Sequence, residues 1–179
     1  MFKKFLERLQ AKSKPRFADF VTGKKLYKSY LADYPLSFAR LGPDDYRRAA
    51  GDSRLALAEG HYRGAVDGAR QDNRSDDVAT GLEELGKVHH LRGEFGEAAA
   101  CFDEAILIYE DMGQLDRAKL ASLGTCYFNL GIMAYKQGDA DAGRTHLEQS
   151  IAVDEKNKDV AGCAETRRVI AILEEQAAG

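Results

Sequence analysis

The sequence predicts an all-α protein built from antiparallel helical hairpins that stack on one another. Only three prolines and no tryptophan occur in 179 residues, which leaves room for long uninterrupted helices. Two blocks of similar sequence follow one another, and apolar residues recur in both at the spacing of a helix face. The length suits one domain, or one array of repeats, with a sizeable core.

The composition indicates a soluble globular protein, with 44% hydrophobic and 31% charged residues. The chain has no apolar run of about 18 residues, and its N-terminus lacks the apolar core of a secretory signal. We therefore expect a cytoplasmic protein without a transmembrane helix. The three cysteines, Cys101, Cys126 and Cys163, are far apart in apolar sequence, so we expect them to act as small buried hydrophobic residues.

The two similar blocks span residues 82–106 and 127–151. Aligned without gaps, they place Gly86 on Gly131, each inside an apolar stripe with helical spacing. A glycine within a helix costs about 1 kcal/mol of helix propensity. Its presence in both stripes indicates that a second helix crosses there, too close for a side chain.

Each block predicts two helices joined by a tight turn. Gly93 and Gly138 mark the ends of the first helices, because glycine adopts the left-handed helix cap without strain. A second helix follows in each block, and small residues in it surround one large side chain, Phe102 or Leu147. The two helices of a block should therefore form an antiparallel hairpin.

The first block resembles the tetratricopeptide repeat family, whose motif covers about 34 residues. The matching positions are Leu82, Leu85, Gly86, Gly93, Phe95, Ala98, Phe102 and Ala105. The second block keeps the register but departs from the motif at Ala134, Gly143 and Ser150. The resemblance implies hairpins stacked in a right-handed solenoid, preceded here by extra N-terminal helices, that serves as a non-enzymatic protein-binding scaffold.

We expect a basic N-terminal helical segment, residues 1–42, followed by a repeat domain, residues 43–179. The expected units of that domain are a degenerate one at about 43–75, repeats at 79–112 and 124–157, and a capping helix at 159–176. Charge supports the division, because residues 1–30 carry a net +7 while the rest carries −10 of the total of −3.

The stretch GLEELGKVHH, residues 81–90, is close in sequence to a phosphate-binding loop. Val88 stands where that loop needs a hydroxyl group for magnesium, and Glu83 and Glu84 would repel phosphate. His89 and His90 are about 100° apart on a helix, whereas a metal pair needs spacing i, i+4. We therefore expect a helix here, and no cofactor, metal or catalytic set that would make the chain an enzyme.

The resemblance also implies a concave groove, lined by the first helices, that binds a peptide or helix of a partner. By this resemblance, the residues that line the groove are Thr80, Glu83, Lys87, His90, Thr125, Phe128, Ile132, Tyr135 and Arg168. Phe128, Ile132 and Tyr135 form a second apolar stripe, and its exposure would forgo about 1.5 to 3 kcal/mol for each large side chain. The chain's own N-terminal segment, a neighbouring helix, an external peptide and a second copy of the chain all remain open as its cover.

Residues 1–12 form an amphipathic pattern in which an apolar stripe from Phe2 to Leu9 lies opposite basic residues. Such a helix suits an anionic membrane surface or the acidic body of this protein. We expect it to break at Pro15 and a further helix to end before Pro35. A membrane-surface adaptor, peripheral at the membrane, is thus the alternative function, while the acidic body disfavours a broad nucleic-acid face.

Overall fold

The computed structural model describes the backbone of residues 2–34 and 37–178 and the side chains of residues 18–34 and 37–177. Within these residues the chain forms eight α-helices and no strand. The helices are α1 (Phe2–Asp33), α2 (Pro43–Gly51), α3 (Ser53–Gln71), α4 (Ser75–Arg92), α5 (Phe95–Asp111), α6 (Arg117–Lys136), α7 (Ala140–Asn157) and α8 (Val160–Ala178), with a 3₁₀ turn at Phe38–Arg40. None of the helices so described is long and apolar enough to cross a membrane.

The helices pack as antiparallel hairpins, and this confirms the predicted fold class. α4 pairs with α5, α6 pairs with α7, and α8 covers the end of the array by packing on α7 and α6. At the other end, α3 packs mainly on α1, since Tyr62 meets Phe20 at 5.6 Å between ring centroids and His61 Nδ1 lies 3.0 Å from Asp19 Oδ1. The short α2 contributes little to this pairing.

Helix α1 is continuous from Phe2 to Asp33, so the predicted break at Pro15 is wrong. Proline removes one backbone donor and costs about 3 kcal/mol inside a helix. The backbone hydrogen bonds of the other turns in this 32-residue helix, together with the packing of its second half on α3, outweigh that cost.

The glycines predicted to lie at helix crossings do so. A Cβ atom built on Gly86 would lie 2.8 Å from Cε1 of Phe102, and one on Gly131 would lie 2.5 Å from Cγ of Leu147. Separations this short do not occur between real side chains, so the helices of both hairpins approach more closely than any residue with a Cβ would allow. The predicted helix end at Gly93 is also confirmed, with a left-handed φ of 75°.

Between α1 and α3 the chain makes an excursion, residues 37–52, which we call the insert. Its 3₁₀ turn contacts α6 and α8, and α2 contacts α4. Arg54, at the start of α3, holds the far end of the insert through ion pairs with Asp52 and with Asp33 of α1. The insert therefore lies across the first helices of the later hairpins instead of adding a hairpin of its own.

Replacement of Gly131 by alanine should destabilise the protein by about 1 to 3 kcal/mol, because the new methyl group must displace Leu147 or the backbone of Gly143. The matched control is Gly60→Ala in α3, where an added Cβ meets nothing within 4 Å, so a gain of up to about 1 kcal/mol is expected. Urea unfolding followed by circular dichroism measures both. Equal effects of the two substitutions would contradict the close crossing.

Candidate functional site

The predicted groove is formed by α4, α6 and α8, which lie side by side. The nine residues predicted to line it differ in exposure, and seven of them fall into three parts. A buried ion cluster contains Glu83 and Lys87, a covered middle contains His90, Ile132 and Tyr135, and an open cleft contains Thr125 and Phe128. Thr80 is half-buried on α4, and Arg168 is exposed on α8 in an ion pair with Glu165.

The ion cluster consists of charged side chains from α4 that are removed from solvent. Lys87 Nζ lies 2.8 Å from Glu83 Oε1 and 3.1 Å from Glu84 Oε1, and the Tyr62 hydroxyl donates to Glu84 Oε2 at 3.3 Å. Burial lowers the pKa of Lys87, but the two glutamates outweigh it and hold the pKa above its ordinary value. Tyr27 of α1 lies near all three charges. Glu83 and Lys87 are therefore engaged with each other inside the protein.

The middle of the groove is filled by the insert. The ring of Phe38 packs 4.8 Å from the ring of His90, and Ala39 joins a core cluster with Ile132, both of them almost fully buried. Lys136 Nζ donates to the carbonyl oxygens of Ala39 and Leu41, at 3.3 and 2.8 Å. Of the four covers that the sequence left open for Ile132, the structure shows two: Ala39 of the chain's own N-terminal segment, and the neighbouring helix α8 through Val169 and Leu173.

His90 is a neutral, buried side chain. Asn129 Nδ2 donates to the carbonyl of Thr125, so the Oδ1 of Asn129 faces His90 Nδ1, at 2.9 Å, and accepts a hydrogen bond from the ring N–H. Burial lowers the pKa of His90 to about 4, against the opposing effect of the hydrogen bond with Asn129. Lys136 is the charged group near the ring, and it lowers the pKa further. The neutral ring lets Phe38 cover it without burying a charge.

The open cleft lies where α6, α7 and the start of α8 meet, beyond the insert. Its volume is about 220 Å³, and residues with polar or aromatic side chains line it, among them Thr125, Phe128, Asp154, Asp159, Glu165 and Thr166. A larger cleft of about 380 Å³ lies between α3, α4 and α5, outside the predicted groove. The cleft at Phe128 is thus the part of the predicted groove that remains open to a ligand.

One cluster has the composition of a metal site but is fully engaged in ion pairs. Glu59, His89 and Glu94 each place a ligand atom within 4.8 Å of the others. Arg92 pairs with Glu59 and lies 3.0 Å from Glu94 Oε1, while Arg63 lies 2.6 Å from Glu59 Oε1. Because the guanidinium groups already neutralise both carboxylates, the cluster ties α3 to α4 as an ion-pair network.

Sequence reasoning missed two residues that shape the groove, Lys136 and Asp154. Lys136 follows the apolar stripe of α6 and gave no pattern to distinguish it from a solvated lysine. Asp154 did leave a signal, because it falls on the buried face of α7 at helical spacing from Leu147 and Ser150. A charged residue on such a stripe indicates a site that packing alone does not explain.

The substitution Lys136→Met should loosen the insert while the hairpins stay folded. It keeps the apolar stem but leaves the carbonyls of Ala39 and Leu41 without their donor, at a cost of about 1 to 3 kcal/mol for each buried group. Hydrogen exchange measured by mass spectrometry should show faster exchange in residues 37–52. Lys156→Met, an exposed lysine on α7, is the control, and faster exchange spread over α6 and α7 would contradict the prediction.

Acidification should weaken the fold through His90. An unfolded histidine titrates near pH 6.5 and the folded His90 near pH 4, so the unfolded chain takes up the proton first and stability falls as the pH falls through this window. At about pH 5 the shifted pKa of His90 lowers the free energy of unfolding by about 2 kcal/mol relative to neutral pH. Urea unfolding at neutral pH and at about pH 5 should show a smaller loss in His90→Gln than in the native chain. The same loss in both would contradict this assignment.

Comparison with known families agrees with this architecture. Two family models described as tetratricopeptide repeat match residues 78–118, which include α5 and most of α4, and residues 124–149, in α6 and α7. No curated protein matches the chain. Tetratricopeptide repeats are generally protein–protein interaction modules, and the proteins that contain them are typically non-enzymatic scaffolds. Through these two segments the chain contains sequence similar to tetratricopeptide repeats.

Proposed function

We propose that the chain is a non-enzymatic scaffold that binds a peptide or helix of a partner protein at the open end of its groove. The observation that carries this proposal is the cleft of about 220 Å³ beside Thr125 and Phe128. It lies at the positions that peptide ligands contact in this family, and the insert leaves it free while it fills the neighbouring middle.

The cleft is formed before any partner arrives. Its walls are helices fixed by the crossing at Gly131 and by the hydrogen bond from Ser150 Oγ to the carbonyl of Gly124, at 3.0 Å. A ligand therefore binds without first having to order the protein, and this favours affinity. Phe128 is only half-buried and offers the ligand an apolar surface.

The covered middle restricts where a partner can bind. His90 and Ile132 are fully buried, so a ligand reaches them only after the insert leaves. The insert is held there by Lys136 and by the packing of Tyr46 on Phe95, at 5.3 Å between ring centroids. We infer that a partner engages the cleft first. The amphipathic pattern of residues 1–12, on which the membrane alternative depends, lies outside the described side chains.

Peptide selection tests the proposal without knowledge of the natural partner. A phage-displayed random peptide library is panned on the full chain, and binding of labelled selected peptides is measured by fluorescence polarisation. Phe128→Glu should weaken binding roughly tenfold or more, as expected when one large apolar contact is lost. Leu107→Glu, at an exposed position on α5, should leave binding unchanged.

Both variants must first give the circular dichroism spectrum of the native chain. If the selected peptides bind Phe128→Glu as tightly as the native chain, or if Leu107→Glu weakens them equally, the groove is not the binding site. An experiment with Ile132→Asp would not be informative, because Ile132 is fully buried in a core cluster with Ala39 and Leu147.

A further inference from the structure

Asp154 of α7 is a buried carboxylate without a partner. Its exposed fraction is 8%, and its carboxylate makes no hydrogen bond or ion pair with any residue in the part of the chain that the structure describes. The backbone around it is regular, since the Asp154 carbonyl accepts from Asp159 N at 2.8 Å. The unusual feature is therefore the buried carboxylate and not the backbone that carries it.

The carboxylate of Asp154 points into the cleft between two glycines. A Cβ on Gly124 of α6 would lie 3.0 Å from its Oδ1, and a Cβ on Gly162 of α8 would lie 2.6 Å from its Oδ2. Both glycines line the same cleft as Asp154. The absence of side chains at these two positions makes room for the carboxylate and leaves it facing the open volume.

The other two carboxylates of the cleft already have partners. Asp159 accepts a hydrogen bond from the backbone N–H of Gly162 at 2.9 Å, and Glu165 lies 2.6 Å from a guanidinium nitrogen of Arg168. Burial, and then the nearby charge of Asp159, raise the pKa of Asp154 because both disfavour its ionised form. A cation placed beside Asp154 would favour the ionised carboxylate and so oppose both effects on its pKa.

A single organic cation fits the cleft better than a metal ion. A metal held by the protein needs several ligand atoms close together, and among the described residues the carboxylates of the cleft do not form such a group. The cleft of about 220 Å³ exceeds the volume of a water molecule, about 30 Å³, several times. Phe128 on its wall can cover an aliphatic stem, while Asp154 receives a charged end.

We propose that the cleft receives a lysine or arginine side chain of the partner segment, with its cationic end paired to Asp154. This inference rests on the proposed function and names the chemistry of its ligand, a basic peptide. The charge complementarity with the cleft selects this occupant, because Asp154 has no cation of its own in the described part of the chain.

Two matched tripeptides test the assignment on the full ¹⁵N-labelled chain. Acetyl-Gly-Lys-Gly-amide should shift the amide resonances of Gly124, Gly162 and Thr166 in a saturable way. Acetyl-Gly-norleucine-Gly-amide, which has the same stem without the charge, should leave them in place. Equal shifts with both peptides, or shifts with neither, would overturn the proposal. Equal binding of n-butylamine and the lysine tripeptide would overturn the assignment to a peptide side chain.

The variant Asp154→Asn keeps the shape of the side chain and removes its charge. It should weaken the binding of the lysine tripeptide at least tenfold. It should also raise the urea midpoint of the free protein, because a buried unpartnered charge disappears. A carboxylate with a structural role would instead lower the midpoint on substitution, and that result would overturn the proposal. Asp103→Asn, an exposed acid in the middle of α5, should change neither quantity.

The two proposals can fail separately. If Phe128→Glu abolishes binding of the library peptides while Asp154→Asn does not, the groove function stands and the pairing with Asp154 is overturned. If Phe128→Glu leaves the library peptides bound while the lysine tripeptide still shifts Gly124 and Gly162, the peptide groove is overturned and Asp154 remains a cation site.

Discussion

The close approach of the two helices in each hairpin is the constraint on which the rest of the structure depends. At Gly86 and at Gly131 a Cβ atom would overlap the facing helix, so glycine alone permits the packing distance that is observed. That distance lets Phe102 and Leu147 become completely buried. With the hairpins fixed in this way, α4 contacts α6 and α6 contacts α8, so these helices lie beside one another where the groove is predicted.

Helix α6 has more apolar surface than its packing on α7 covers, and the insert covers part of the remainder. Packing of α6 on α7 leaves Ile132 beside the contact face, where Ala39 of the insert and Val169 and Leu173 of α8 join it in one buried cluster. A single 3₁₀ turn, such as the one at Phe38–Arg40, leaves backbone carbonyls at its end unpaired, and burial of such groups is costly. Lys136 supplies the donor for the carbonyls of Ala39 and Leu41, so the same helix provides both the apolar contact and the polar one. The groove is thereby shortened to a cleft.

The hairpins and the glycine crossings could be predicted because they depend on residues close in sequence with a repeating spacing. The insert could not, since Phe38 and Ala39 carry no period and meet residues far along the chain, such as His90. His90 was predicted to line a groove open to a partner, whereas its ring is buried against Phe38, and no pattern in the sequence could show that the chain itself would cover it. The open cleft could not be predicted either, because its lining residues come from three helices, α6, α7 and α8.

Some charged side chains along the groove have partners within the chain and one does not. This difference separates the structural part of the groove from the part suited to a ligand. In the ion cluster and under the insert, the charges of Lys87 and Lys136 meet acceptors within the chain. At the cleft, Asp154 has no such partner among the described residues, although an apolar residue on this buried stripe would stabilise the fold more. The free energy lost there in the free protein is recovered when a cation binds. Recognition is therefore expected where the array is least stabilised by its own contacts.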